Sequence, residues 1–127
     1  MLTTQIHGLY IAETSDKGRG VFTTADISSK SVIEICPCII LSTIDTLSIH
    51  KTLLHDYYFL WDLETKTSAI ALGFGSIYNH SDQPNADFFI NKDAMDITFV
   101  ALKDIPAGEE ILINYISLKG TDAKLWF

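Results

Sequence analysis

The sequence predicts a mainly β domain with one short helix, and three observations support this fold class. Short segments rich in β-branched and aromatic residues recur along the chain, turn-forming residues separate them, and one stretch alone begins with a helix-capping pattern. The chain has 127 residues, of which 47% are hydrophobic. That length and composition suit one packed core, so we assign residues 1–127 to a single domain.

The order of elements follows from alternating apolar residues and the turns between them. Strands are predicted over residues 9–13, 20–24, 31–41, 57–61, 68–72, 86–90, 96–102 and 109–115. Pro37 interrupts the third strand, which indicates a bulge or an edge position. Ser42 and Asp45 form a capping-box pattern that predicts the helix over residues 43–54.

Charge and hydropathy exclude two classes of partner. The net charge is −7, from 16 acidic and 9 basic residues, and Arg19 is the only arginine. This balance disfavours direct nucleic-acid binding and favours a cationic partner such as a lysine-rich peptide, although acidity can also serve solubility alone. The sequence contains no apolar run of the ~20 residues that span a membrane and no signal-peptide pattern, so we expect an intracellular, soluble protein.

The cysteines and histidines do not predict a metal site. Cys36 and Cys38 are two positions apart, which places them on one face of a strand and gives poor geometry for a disulfide. They also lack the C-x-x-C pairs of structural zinc sites, so we interpret them as small core residues. His50 and His55 are five positions apart, which is unsuitable for shared metal ligation on a helix.

Three short motifs contain the residues that could carry chemistry. They read KGRGVF at 17–22, IYNHSDQPN at 77–85 and IPAGEEILINY at 105–115. Taken singly, the first two are typical of turns, and the tyrosine that ends the third is typical of an amphipathic core residue. The G-x-G of the first motif lacks the strand-then-helix setting of a dinucleotide site.

In this order, the three motifs resemble the SET-domain protein lysine methyltransferases. The family pattern reads roughly G-x-G, then R-F-I-N-H-S-C-x-P-N, then G-E-E-L-x-x-D-Y, and the resemblance spans residues 17–115. The run DYYFLW…SAIALGFGSIYNHS looks like the minimal single-domain SET proteins of large DNA viruses and bacteria. The chain departs from the pattern at Ser76, Ile77, Asp82 and Asn114, where many members have Arg, Phe, Cys and Asp.

The resemblance implies a β-clip fold of small sheets, without the flanking zinc clusters of many members. The Asn-His-Ser segment would pass beneath the C-terminal strand in a knot-like crossing. The implied cofactor is S-adenosylmethionine, with the C-terminal tail as a lid over it. The residues implied to bind it are Lys17, Gly18, Arg19, Gly20, Asn79, His80 and Trp126.

The implied activity is methyl transfer from S-adenosylmethionine to a lysine ε-amine. Tyr115 would be the main catalytic positioning residue, and Tyr57 would act with it at the lysine channel, while Tyr58 faces the other way. Ile113, Phe88 and Tyr78 would also line the channel. Neither Ile113 nor Phe88 carries a hydroxyl that could hold a blocking water, so di- or trimethylation is expected.

The resemblance also implies the partners. The substrate would be a lysine in a basic protein tail, with a histone as one candidate, and the small viral relatives imply a homodimer. A viral or pathogen protein would act in a nucleus, and an endogenous bacterial one in the cytoplasm. The alternatives are a catalytically inactive SET-fold module that binds a peptide and a purely structural β domain.

Overall fold

The computed structural model describes residues 4–115, and this part of the chain is mainly β, as predicted. The helical elements are α1 (Thr43–Ile49) and two single 3-10 turns, Leu53–Asp56 and Gly75–Ile77. The strands are β1 (Leu9–Glu13), β2 (Arg19–Thr23), β3 (Val32–Leu41), β4 (Tyr58–Asp62), β5 (Thr67–Ala71), β6 (Asn79–His80), β7 (Ala86–Asn91), β8 (Asp96–Ala101) and β9 (Leu112–Ile113). They form three sheets, β1-β2, β4-β5-β3-β8-β7 and β6-β9.

The central strand β3 changes partners along its length. Residues 32–37 pair with β8, and residues 38–41 pair with β5. Pro37 lies at the change of partner, and the register shift lies between Val32 and Glu34 instead. The prediction of a bulge or edge position at Pro37 is therefore wrong. Proline is tolerated there because its missing N–H falls where one ladder ends and the next begins.

The helix is shorter than the predicted 43–54. Ser42 caps it, since its Oγ accepts a hydrogen bond from Asp45 N at 3.1 Å. Only Thr46 is buried among the residues of α1, and its hydroxyl lies 2.7 Å from Ser68 Oγ. Ile44 is 76% exposed. The helix ends after two turns because no apolar stripe extends along its inner face.

The core lies beneath the five-stranded sheet and reaches the C-terminal strand. Phe88, Phe99 and Ile113 are buried in one cluster, and Phe59 meets Phe88 edge-on with ring centroids 5.2 Å apart. Cys36 belongs to this cluster, as predicted, while Cys38 is only half-buried and both thiols are free.

Two short segments of similar sequence, 26–29 and 104–107, form reciprocal hydrogen bonds with each other. The N–H of Ile27 donates to Ile105 O, and the N–H of Ile105 donates to Ile27 O, both at 2.8 Å. Asp26 accepts from Ala107 N, and Asp104 accepts from Ser29 N in the reciprocal position. The two segments are too short to be found as a repeat in the sequence, because they share only an Asp-Ile pair and the loop that follows it.

The short strands β6 and β9 pair in parallel, with Asn79 opposite Leu112 and His80 opposite Ile113. Ser81 N also donates to Ile113 O at 2.9 Å. This pairing brings the Asn-His-Ser segment against the C-terminal strand, as expected for the fold class. No helix within residues 4–115 is long and apolar enough to cross a membrane.

Candidate functional site

Asn79 lies where three separate segments of the chain meet. Its Nδ2 donates to Glu110 Oε2 at 2.7 Å and to Arg19 O at 3.1 Å. Gly20 is required beside it, because a Cβ on Gly20 would lie 2.2 Å from Glu110 Oε2 and 2.8 Å from Asn79 Nδ2. Since Nδ2 donates to two protein acceptors, the amide oxygen is the atom of Asn79 suited to accept from a ligand.

His80 connects the surroundings of Asn79 to Tyr115, the predicted catalytic residue. Its Nδ1 accepts from Tyr115 N at 3.0 Å, and its Nε2 lies 3.2 Å from Asp82 Oδ1. These contacts assign the tautomer with the proton on Nε2, which donates to the carboxylate. The carbonyl of His80 accepts from Lys17 Nζ at 3.1 Å. The predicted cofactor residues Lys17, Asn79 and His80 are therefore brought together.

Tyr115 follows β9 and packs against the core while its hydroxyl donates to the carbonyl oxygen of Tyr78. Burial, followed by the charges of Asp56, Tyr57 and Glu110, raises the pKa of Tyr115 to about 12. The hydroxyl therefore keeps its proton at neutral pH. It can accept a hydrogen bond at its oxygen while it donates to Tyr78, and it is not a base.

Asn85 holds the C-terminal strand in place beside the site. It is 7% exposed, its Nδ2 donates to Glu110 O at 2.9 Å, and its Oδ1 accepts from Leu112 N at 2.8 Å. Its own backbone N–H donates to Leu112 O at 3.1 Å. Neither Asn85 nor Glu110 was predicted as a site residue, although Asn85 lies in the motif at 77–85 and Glu110 in the motif at 105–115.

The predicted channel residues have different environments. Tyr57 is 39% exposed, whereas Tyr58 is 3% exposed with its hydroxyl 2.9 Å from His50 Nδ1, so the two rings face opposite ways as predicted. Ile113 and Phe88 lie in the core cluster against which Tyr115 packs. Their contact with a substrate lysine stays a prediction.

Tyr78 has a buried ring with a bonded hydroxyl. The ring is 1% exposed, and the hydroxyl donates to Glu34 Oε1 at 2.7 Å. The ring belongs to the core cluster and the backbone carbonyl accepts from Tyr115, while a contact of Tyr78 with a substrate lysine stays a prediction. Trp126 lies outside the described residues.

The loop before β2 has the features of a cover for an anionic or polar ligand. Gly18 has φ +73° with no heavy atom within 4 Å of a Cβ built on it, so the loop is open there. The carbonyl of Gly18 accepts from Thr14 N at 2.7 Å, which fixes the turn. Lys17 and Arg19 place exposed cations on either side of Gly18. An open glycine flanked by cations fits the carboxylate of S-adenosylmethionine, and the Oδ1 of Asn79, next to this loop, fits a donor such as its amine.

No group of three or more potential metal ligands occurs among residues 4–115.

Comparison with known proteins agrees with this geometry. The family model for the SET domain matches residues 18–116. The chain is 35% identical, over 109 residues, to a Schizosaccharomyces pombe protein named histone-lysine N-methyltransferase, H3 lysine-37 specific, covering 84% of this chain and 72% of that protein.

Two solved structures share the fold. One is a Plasmodium falciparum protein whose name describes it as a candidate histone methyltransferase, with TM-score 0.67, 32% identity, and coverage of 85% of this chain and 92% of that one. The other is the Neurospora SET-domain histone lysine methyltransferase DIM-5, with TM-score 0.68, 22% identity, and coverage of 87% and 52%. The second likeness concerns the fold alone.

The parallel pairing at Asn79-His80 and the tyrosine held against it define the class of protein, a SET-domain lysine methyltransferase. With the family model covering most of its length, the chain belongs to the SET-domain family.

Proposed function

We propose that the protein transfers a methyl group from S-adenosylmethionine to the ε-amine of a lysine in a basic protein tail, with a histone as the first candidate. The observation that supports this proposal most directly is the convergence on one site of the Tyr115 hydroxyl, the Tyr78 carbonyl and the Asn79-His80 pair. Tyr78, Asn79 and His80 are consecutive, and Tyr115 belongs to the C-terminal segment, so two distant parts of the chain form this site.

The cofactor would lie between the loop at residues 17–20 and the strand β6. Asn79 would accept a hydrogen bond through its Oδ1, and Lys17 and Arg19 would attract the carboxylate of the methionine part. When bound, S-adenosylmethionine supplies an electrophilic methyl group on a cationic sulfur. Gly20 keeps Glu110 against Asn79, so the amide is oriented before the ligand arrives.

The protein contributes alignment more than acid–base chemistry. A lysine amine with a reference pKa of about 10.4 must lose its proton before it can attack, and burial beside a cation favours that loss. The Tyr115 hydroxyl, fixed by its bond to Tyr78 O, would accept a hydrogen bond from the neutral amine and direct its lone pair. Backbone carbonyls over residues 76–78 would contact the polarised methyl group.

A cationic substrate suits the charges around the site. After burial, the nearby groups Asp56, Tyr57 and Glu110 also raise the pKa of Tyr115, so two carboxylates lie near its hydroxyl. The net charge of −7 extends this preference to the whole surface. The relative from Schizosaccharomyces pombe is named for a lysine of histone H3. A histone substrate would place the protein in a nucleus, and tagged-protein microscopy tests that location.

The test is a methylation assay on an array of lysine peptides with S-adenosylmethionine, read by mass spectrometry. We expect methylated lysine with the native chain and at least about a hundredfold less with Tyr115→Phe, because that variant loses the oriented hydroxyl. Calorimetry with S-adenosylmethionine in chelator should give one site for both proteins.

The outcomes separate the alternatives. Cofactor binding without turnover on any peptide would identify an inactive SET-fold module, and no binding at all would identify a structural domain. A homodimer, proposed for the active form, is tested by light scattering of the purified chain.

A further inference from the structure

Glu34 is a buried carboxylate that the methyl-transfer chemistry described above does not use. It is 3% exposed and lies in β3, away from the loop at residues 17–20. The register shift between Val32 and Glu34 turns it inward, onto the same face as Cys36. Burying a carboxylate is costly unless donors surround it, so its environment should explain why it is there.

Three donors from two segments of the chain bond to this carboxylate. Glu34 Oε1 accepts from the Tyr78 hydroxyl at 2.7 Å, and Oε2 accepts from Phe74 N at 3.1 Å and from Gln5 Nε2 at 2.9 Å. The chain also makes room for it, since a Cβ on Gly73 would lie 2.3 Å from Glu34 Oε2. Glu34 is thus the common acceptor for both ends of the segment 74–78.

That segment carries the carbonyl to which the catalytic tyrosine is bonded. The Tyr115 hydroxyl donates to Tyr78 O, while the hydroxyl of Tyr78 itself is bonded to Glu34. The chain of contacts from Glu34 through Tyr78 to Tyr115 is continuous and largely buried. A displacement of Tyr78 would move the acceptor that orients the Tyr115 hydroxyl.

We propose that Glu34 is a positioning residue for methyl transfer, because it anchors Phe74 and Tyr78 and thereby fixes the carbonyl against which Tyr115 is oriented. The inference rests on the proposed function for its catalytic meaning. It assigns Glu34 no contact with substrate or cofactor. Loss of Glu34 should lower kcat with little change in substrate or cofactor binding, since a displaced Tyr115 hydroxyl disturbs the alignment of the transition state.

The experiment compares Glu34→Gln and Tyr78→Phe with Gln5→Ala as the matched control. Gln5→Ala removes a donor from the same carboxylate without touching residues 74–78. We expect Glu34→Gln and Tyr78→Phe to lower kcat by about tenfold or more, with the peptide KM and the S-adenosylmethionine Kd within about threefold of the native values. Gln5→Ala should keep kcat within about twofold.

A second readout does not depend on turnover. In protein labelled with ¹³Cζ-tyrosine, the Tyr115 signal, assigned with Tyr115→Phe, should shift in Glu34→Gln and in Tyr78→Phe but not in Gln5→Ala. If Glu34→Gln does not fold, Tyr78→Phe carries the same test through both readouts. If the native chain methylates no peptide, the proposed function fails while the ¹³C shifts still test the placement of Tyr115.

Three results would overturn the inference. One is a kcat that stays within about twofold of native in folded Glu34→Gln and Tyr78→Phe. Another is an unshifted Tyr115 signal in both variants. A parallel loss of kcat and of both binding constants in all three variants would also count against it, because it would indicate general loosening of the domain.

Discussion

Replacing Gly20 by alanine should weaken cofactor binding while leaving the fold intact. The backbone of Gly20 is not in the left-handed region, so alanine adds no backbone strain there. Its Cβ, however, would lie 2.2 Å from Glu110 Oε2 and 2.8 Å from Asn79 Nδ2. The carboxylate is the end of a flexible side chain and can swing away, which breaks the 2.7 Å bond that orients the Asn79 amide.

The size of the effect follows from the bond that is lost. A hydrogen bond to a charged group contributes about 1.5–3 kcal/mol, so the Kd for S-adenosylmethionine should rise by roughly 10- to 150-fold if the amide is no longer oriented. The assay is calorimetric titration of the native chain and Gly20→Ala under one set of conditions. Thermal unfolding without ligand is measured in parallel.

Gly108→Ala is the matched contrast for this prediction. Gly108 has φ +90° and no heavy atom within 4 Å of a built Cβ, so alanine there adds strain of about 1–2 kcal/mol without a collision. It should lower the unfolding temperature and leave the Kd near the native value. A native-like Kd in Gly20→Ala, or equal losses of affinity in both variants, would refute the role given to the Glu110–Asn79 bond.

Three further predictions address stability and product. Lys30 has φ 71°, so Lys30→Gly should stabilise the fold by about 1 kcal/mol, whereas Lys30→Ala should not; denaturant unfolding compares them, and equal stabilities would contradict the strain argument. Burial raises the pKa of Cys38 to about 11 and that of Tyr115 to about 12, from the ordinary values of 9.0 and 10.0. Because the folded state favours the protonated forms of both groups, their contribution to the free energy of unfolding should be fully present below pH 9 and should decrease as the pH rises from 9 through 12. An unfolding temperature that stays constant between pH 8 and 11 would contradict this. Phe88→Tyr should shift the product from di- or trimethyl-lysine toward monomethyl-lysine, because a hydroxyl can hold the amine or a water in the channel; mass spectrometry at full conversion with excess cofactor measures the ratio, and a native enzyme that stops at one methyl would contradict the channel argument.

The strands of five or more residues were predictable, because each is paired over most of its length. The two-residue strand β6 was not predicted. Alternation located β1, β5 and β7 to within a residue at each end. The last predicted strand, 109–115, was only partly correct, because the chain changes partners within it. Ile111 N donates to Val21 O on β2, and the paired strand β9 then lies against β6. Local alternation cannot show that successive residues have different partners.

The partners of the acidic residues could not be identified from local pattern. An acidic residue in a β segment normally faces solvent, and Glu34 and Glu110 fit such a pattern. A bulge turns Glu34 inward, and the parallel pairing of β6 with β9 brings Asn79 to Glu110. Both contacts join residues at least 31 positions apart, so the sequence pattern could locate the motifs but not their partners.

The polar motif at residues 79–85 is compatible with the core because Asn79, His80, Ser81 and Asn85 bond to the C-terminal segment. Asn85 accepts from and donates to the backbone at Glu110 and Leu112, and His80 accepts from Tyr115 N. These bonds replace the hydration that burial removes, so the motif costs little stability while it fixes the last strand. The same bonds place the Tyr115 hydroxyl at Tyr78 O. Residues that satisfy the buried backbone therefore also align the catalytic tyrosine, and a substitution among them should change kcat and stability together, whereas Gly20→Ala should separate affinity from stability.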